Sequence, residues 1–120
     1  MTRKLPPHDS NGFWQMNGQP WPGCAYAAWS PPEEDQVQTA MMYLALFKPV
    51  KRGGVSSYGL KHRAENWGGR NGRSSYVANG ALIEAAIRLG LTVKPYRINA
   101  LIGVSRSEVR KELLASERSK

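Results

Sequence analysis

The stretch Ile98–Leu114, INALIGVSRSEVRKELL, decides how this chain is read. Ile98 and Ile102 stand four residues apart with Leu101 beside them, the spacing of one helix face. Pro95 suits a first helical turn, where its missing N–H would have found no partner. Gly103 is placed to end that helix in a left-handed conformation. Ser105 and Glu108 have the spacing of a capping box, and Val109 and Leu113 mark the apolar stripe of a second helix. The segment is therefore predicted to form a short helix, a glycine turn and a second helix carrying Arg106, Ser107, Arg110 and Lys111.

Gly103, Val104, Ser105 and Val109 resemble the helix-turn-helix of bacterial and phage repressors, in which a glycine–apolar–serine turn precedes the recognition helix. That resemblance implies a reader of duplex DNA. Arg106, Ser107, Arg110 and Lys111 would then face the major groove, where an arginine contacts guanine in bidentate fashion. Two positions depart from the pattern. Asn99 stands where a small residue is expected, with Ala100 displaced by one, and Glu112 stands where an apolar residue is expected, with Leu113 after it. A slip of one position turns a side chain by about 100°, which changes how the second helix packs on the first.

Charge points the same way. The chain carries 17 Lys and Arg against nine Asp and Glu, a formal net charge of +8 over 120 residues. The first 47 residues are slightly acidic, whereas residues 48–75 hold Lys48, Lys51, Arg52, Lys61, Arg63, Arg70 and Arg73 against Glu65 alone. A second basic block spans residues 94–120. Cations concentrated in two segments suggest a polyanion partner, nucleic acid first among them. Lys48, Lys51, Arg52, Arg70 and Arg73 are the candidate phosphate contacts.

The length bounds a single domain, 1–120, with an irregular segment over 1–30, a helical core over 31–114 and a flexible tail over 115–120. A hydrophobic content of 41%, with four Trp and five Tyr, argues for a folded chain. The lone Cys24 cannot pair internally and fits a reducing cytoplasm. Residues 1–7, MTRKLPP, lack the apolar core of a secretory signal, and the apolar run within Ala40–Phe47 is too short to cross a membrane.

Turn formers punctuate residues 1–30, where Gly12, Asn17-Gly18, Pro20, Pro22 and Gly23 separate Phe13, Trp14, Trp21, Tyr26 and Trp29. These aromatics read as plugs for the core or, alternatively, as surfaces for base stacking. A helix is predicted over about 31–47, capped by Ser30 and Glu33, with Val37, Ala40, Met41, Leu44 and Ala45 inward. A second is predicted from Ser56 or Ser57 to Gly68-Gly69, with Lys61 and Arg63 away from its apolar face. A third is predicted over Gly80–Leu89, capped by Asn79 and closed by Gly90, and apolar nearly all round. The expected fold is thus mainly α, a small domain of about four helices.

SSYGLKHRAENW and YVANGALIEAAIRLGL, within residues 56–91, resemble small accessory proteins of bacterial phages and conjugative elements. The resemblance implies a mobile-element setting and attaches no activity to any residue.

Catalytic chemistry finds little support. Two histidines, His8 and His62, and one thiol cannot build a finger-type zinc cage. His62 and Glu65, three apart on one helix, have the spacing to bind a metal or share a proton. Two residues make an incomplete site, and they read first as a solvated or core-edge pair. The glycine runs lack the phosphate-loop spacing, and no serine sits in a nucleophile elbow. The expectation is no enzyme, no cofactor and no metal. The leading reading is a helix-turn-helix regulator or accessory factor that binds duplex DNA, with room for a homodimer although no heptad seam declares one. A second reading is a phage or plasmid protein that inhibits a host protein or nucleoprotein complex. A third is a single-strand or RNA binder that uses the tryptophans.

Overall fold

The helix Asn79–Arg88, NGALIEAAIR, is the spine of the domain. Ala81, Leu82, Ile83, Ala85 and Ala86 within it are fully buried, as expected of a helix apolar nearly all round. It ends in a complete Schellman motif: Gly90, at φ 73, donates to the Ile87 carbonyl at 3.0 Å, and Leu91 donates to that of Ala86 at 3.0 Å. The cap at its start differs from expectation. Ala78 is the N-cap, and Asn79 sends its side chain elsewhere.

A computed structural model describes residues 5–22 and 29–118. Residues 1–4 and Gly23, Cys24 and Tyr26, which bear on the expectations above, lie outside the described residues. In chain order the elements are β1 (His8–Asp9), β2 (Gly12–Phe13), α1 (Glu34–Leu44), β3 (Val55–Ser56), α2 (Ser57–Arg70), α3 (Asn79–Arg88), β4 (Val93–Tyr96), β5 (Asn99–Ile102) and α4 (Arg106–Arg118). Among the described residues these make four helices, a two-stranded ribbon β1-β2 and a three-stranded antiparallel sheet of order β3-β5-β4. The fold is α+β, which corrects the mainly helical expectation.

The correction falls on the segment that opened the sequence reading. Residues 93–102 are not a helix but the hairpin β4–β5, in register Val93↔Ile102 through Tyr96↔Asn99. Ala100, Ile102 and Val104 are buried while Leu101 is exposed, the two-residue alternation of a strand. Pro95 sits on β4, at the sheet edge, where a missing N–H is tolerated. The chain therefore has no helix-turn-helix at 95–114; a hairpin precedes α4.

Elsewhere the expected helices form with shifted ends. α1 begins at Glu34 with Glu33 as N-cap and no side-chain cap, so the predicted Ser30–Glu33 box is absent. Tyr43, unassigned from sequence, is its largest buried side chain. Ser56 caps α2, accepting the Tyr58 N–H at 3.3 Å, and the helix runs past Gly68-Gly69 to Arg70. α4 continues to Arg118, beyond the expected start of the tail. The core joins Val37, Tyr43 and Leu44 of α1, Leu60 and Ala64 of α2, the α3 spine, Ile102, Val104, Phe13 and Val109 of α4.

Candidate nucleic-acid interface

The basic loop KPVKRGG, residues 48–54, is stitched to the start of α4. Val50 N–H donates to the Gly103 carbonyl at 2.9 Å and Ser105 N–H to that of Lys48 at 2.9 Å, around a bridge between Pro49 and Val104. Glu108 Oε1 accepts the Lys48 N–H at 2.6 Å, and Arg106 Nη2 donates to the Gly54 carbonyl at 3.0 Å. Lys48, Lys51 and Arg52 are all exposed, on a loop that these bonds fasten to the first turn of α4.

Ser105 caps α4 as its sequence suggests, accepting the Glu108 N–H at 3.4 Å, while its hydroxyl lies 3.1 Å from that of Ser107. The reciprocal half of the capping box is replaced: the Glu108 carboxylate crosses to the loop instead. Glu112 is also drawn inward, meeting Arg70 Nη2 at 3.2 Å. Its departure from the repressor pattern has a physical reason, since it answers a cation on α2 rather than a partner helix. Burial pushes the Tyr43 phenol well above its ordinary value, and the Glu112 carboxylate adds to the shift.

With both glutamates engaged inward and Val109 buried, the outer face of α4 is left to Arg106, Ser107, Arg110 and Lys111, all exposed. Arg110 and Lys111 have no ion partner among the described residues. The helix start adds its own partial positive charge beside the loop cations.

The structure thus gathers Lys48, Lys51, Arg52, Arg106, Ser107, Arg110 and Lys111 around one helix and its neighbouring loop. It does not gather every expected contact. Arg70 is paired with Glu112, and Arg73, exposed in the turn after α2, is fastened through its N–H to the Gly68 carbonyl at 2.8 Å. Lys61, counted as basic surface from sequence, is only 8% exposed.

Trp14, Trp21 and Trp29 of the N-terminal segment stand outside the buried core, whereas Trp67 of α2 packs against it. Trp29 is exposed, its ring 5.5 Å from that of Trp14, and the Arg97 guanidinium lies 5.3 Å over Trp21. Among the described residues of the N-terminal segment, Phe13 is the fully buried aromatic. His62 Nδ1 meets Glu65 Oε1 at 3.1 Å, and no group of three metal-ligating side chains occurs among the described residues. On another face Arg88 clasps Glu34 at 2.7 Å and Glu84 at 2.8 Å. The Arg88 hydrogen bonds hold the Glu34 carboxyl down at about 2.

No helix among the described residues is long and apolar enough to cross a membrane. No family model, curated protein or solved structure matches the chain.

Proposed function

We propose that this protein binds duplex DNA through the outer face of α4 and the basic loop 48–54. The observation that carries the reading is the sorting of charge on α4: Glu108 and Glu112 turn inward to the Lys48 N–H and to Arg70, and Arg110 and Lys111 remain outward without acidic partners among the described residues. A helix with one cationic face fits the major groove, and flanking loop cations suit the phosphates. Arg106 is committed to Gly54 and acts as the clasp that holds loop to helix. Arg110, Lys111 and Ser107 are the groove-facing groups, and Lys48, Lys51 and Arg52 the phosphate contacts. The mode is a helix entered from a β-hairpin rather than from a preceding helix.

Equilibrium binding of a fluorescent duplex and of the matching single strand, across a salt series, tests this. The duplex should bind more tightly than the strand, with affinity falling linearly on a logarithmic salt axis. Absence of duplex binding at about 150 mM salt would overturn it, since any protein of this charge holds some DNA at low salt.

A further inference from the structure

α2 carries a lysine that the α4 reading leaves unused. Lys61 is 8% exposed, with Nζ 5.9 Å from the ring centre of Tyr58 and 5.5 Å from that of Tyr76. Its one carboxylate contact is long, 3.4 Å to Glu65 Oε2. That oxygen also accepts the Val77 N–H at 3.1 Å, and the other oxygen of Glu65 is held by His62 at 3.1 Å. An ammonium has three N–H donors, and among the described residues Glu65 is the one acceptor that meets them. Burying a cation with spare donors is costly unless something answers them.

Lys61 lines a cleft of about 300 Å³ whose walls include Tyr58, Tyr76, Asn11, Asn79 and Asn99. Asn79 is also 8% exposed. Its Nδ2 donates to the Asn11 carbonyl at 3.0 Å and to Asn99 Oδ1 at 3.0 Å, with the Ile98 carbonyl at 3.3 Å, while its Oδ1 has no partner. Turning the amide over offers no relief, because the oxygen would then face backbone acceptors. A buried acceptor left without a donor in a folded protein calls for an explanation. Ala78, the N-cap of α3, lines the same cleft, so the start of that helix adjoins Lys61. The Gly80 N–H there is already donated to the Ser10 carbonyl at 3.0 Å, and the Ala78 N–H to Gln36 Oε1 at 2.9 Å. Tyr58 and Tyr76 are 57% and 58% exposed, large rings offered to solvent at the mouth.

We propose that this cleft binds a single nucleoside phosphate. The phosphate takes the spare donors of Lys61 near the start of α3, the base stacks on the exposed tyrosine rings, and the Asn99 side chain, held by Asn79, lies at its polar edge. The volume sits at the lower end of small-molecule sites, about 300–1,000 Å³, and suits one nucleotide. The ligand is either a free nucleotide or an unpaired residue of a bound strand. The site is distinct from the α4 face and does not depend on it.

Adenosine monophosphate, adenosine and inorganic phosphate are titrated by calorimetry into the full chain. A duplex with one unpaired nucleotide is compared with its fully paired counterpart. Adenosine monophosphate should bind at least about tenfold more tightly than adenosine or phosphate alone, and the side-chain amide signals of Asn79 and Asn99 should move in nuclear magnetic resonance spectra. Lys61→Met, which keeps the apolar stem, and Tyr76→Leu, at an exposed position, should each weaken binding by about tenfold. Tyr76→Leu decides the matter if Lys61→Met fails to fold. A preference confined to the duplex with the unpaired nucleotide, lost in these variants, assigns the site to a strand. Absence of binding to both mononucleotide and unpaired nucleotide overturns the proposal, as does binding undiminished by the folded variants or adenosine alone binding as tightly. Duplex binding that persists while mononucleotide and unpaired-nucleotide binding are absent overturns this site and leaves the α4 reading standing, whereas mononucleotide binding without duplex binding does the reverse.

Discussion

At the scale of single residues, Arg88 ties α1 to α3. One guanidinium contacts Glu34 on the first helix and Glu84 on the third, and His8 closes the cluster at 2.8 Å from Glu84. Glu34 is held at about 2 against an ordinary 4.5. A depressed carboxyl contributes stability that is fully present above its unfolded value and lost as pH falls through the folded one. The acid limb of the stability curve should therefore drop between about pH 4.5 and 2, and Arg88→Ala should flatten that part of it. Denaturant melts of both proteins across that window check the slope; identical acid limbs would show the clasp to be inert.

Two glycines make a paired prediction. A Cβ on Gly80 would overlap the Asp9 carbonyl, whereas one on Gly69 would meet only the Ser75 Cβ at 3.8 Å. Gly80→Ala should cost about 1–3 kcal/mol through overpacking. Gly69→Ala, near the end of α2, should be neutral or stabilise by about 0.5–1 kcal/mol. Thermal melts that rank the two in the opposite order would contradict the packing of β1 on α3.

At the scale of elements, α3 was the most legible, because Gly80 to Leu89 is apolar nearly all round, broken by Glu84 and Arg88, and bounded by Gly90. Ile83→Ala should cost about 2–5 kcal/mol, the range for a fully buried aliphatic side chain, and Ile87→Ala less, since Ile87 is only partly buried. Equal melting shifts for the two would place the core elsewhere. The β4–β5 hairpin was illegible for a physical reason. Ile98 and Ile102 fit an i,i+4 helix face, while Ala100, Ile102 and Val104 fit a strand, and so short an apolar window satisfies both periods. Thr92, Val93 and Tyr96 favour the strand, but Pro95 mimics a helix start unless the strand lies on an edge. In the candidate interface, the exposed cations of α4 were readable from spacing. That Arg106 binds Gly54, that Glu112 takes Arg70 and that Lys61 is buried depends on long-range pairing. Nothing local in the sequence announces it.

At the scale of the whole molecule, the surplus of positive charge is distributed, not uniform. Some cations are answered within the fold: Arg88 by two carboxylates and Arg70 by Glu112. Others, on the 48–54 loop and the outer face of α4, have no carboxylate partner among the described residues. The distinction separates a DNA-binding face from general stickiness, because both predict binding at low salt and only one predicts which cations matter. The most direct measurement compares the salt dependence of duplex binding for Lys51→Ala, Arg110→Ala, Lys111→Ala and Arg88→Ala, each of which removes one unit of charge. The first three should each lower the logarithmic salt slope by about one unit, and Arg88→Ala should leave it unchanged. Equal losses in all four would show that net charge alone drives binding, and the assignment of α4 and its loop as the DNA-binding face would be wrong.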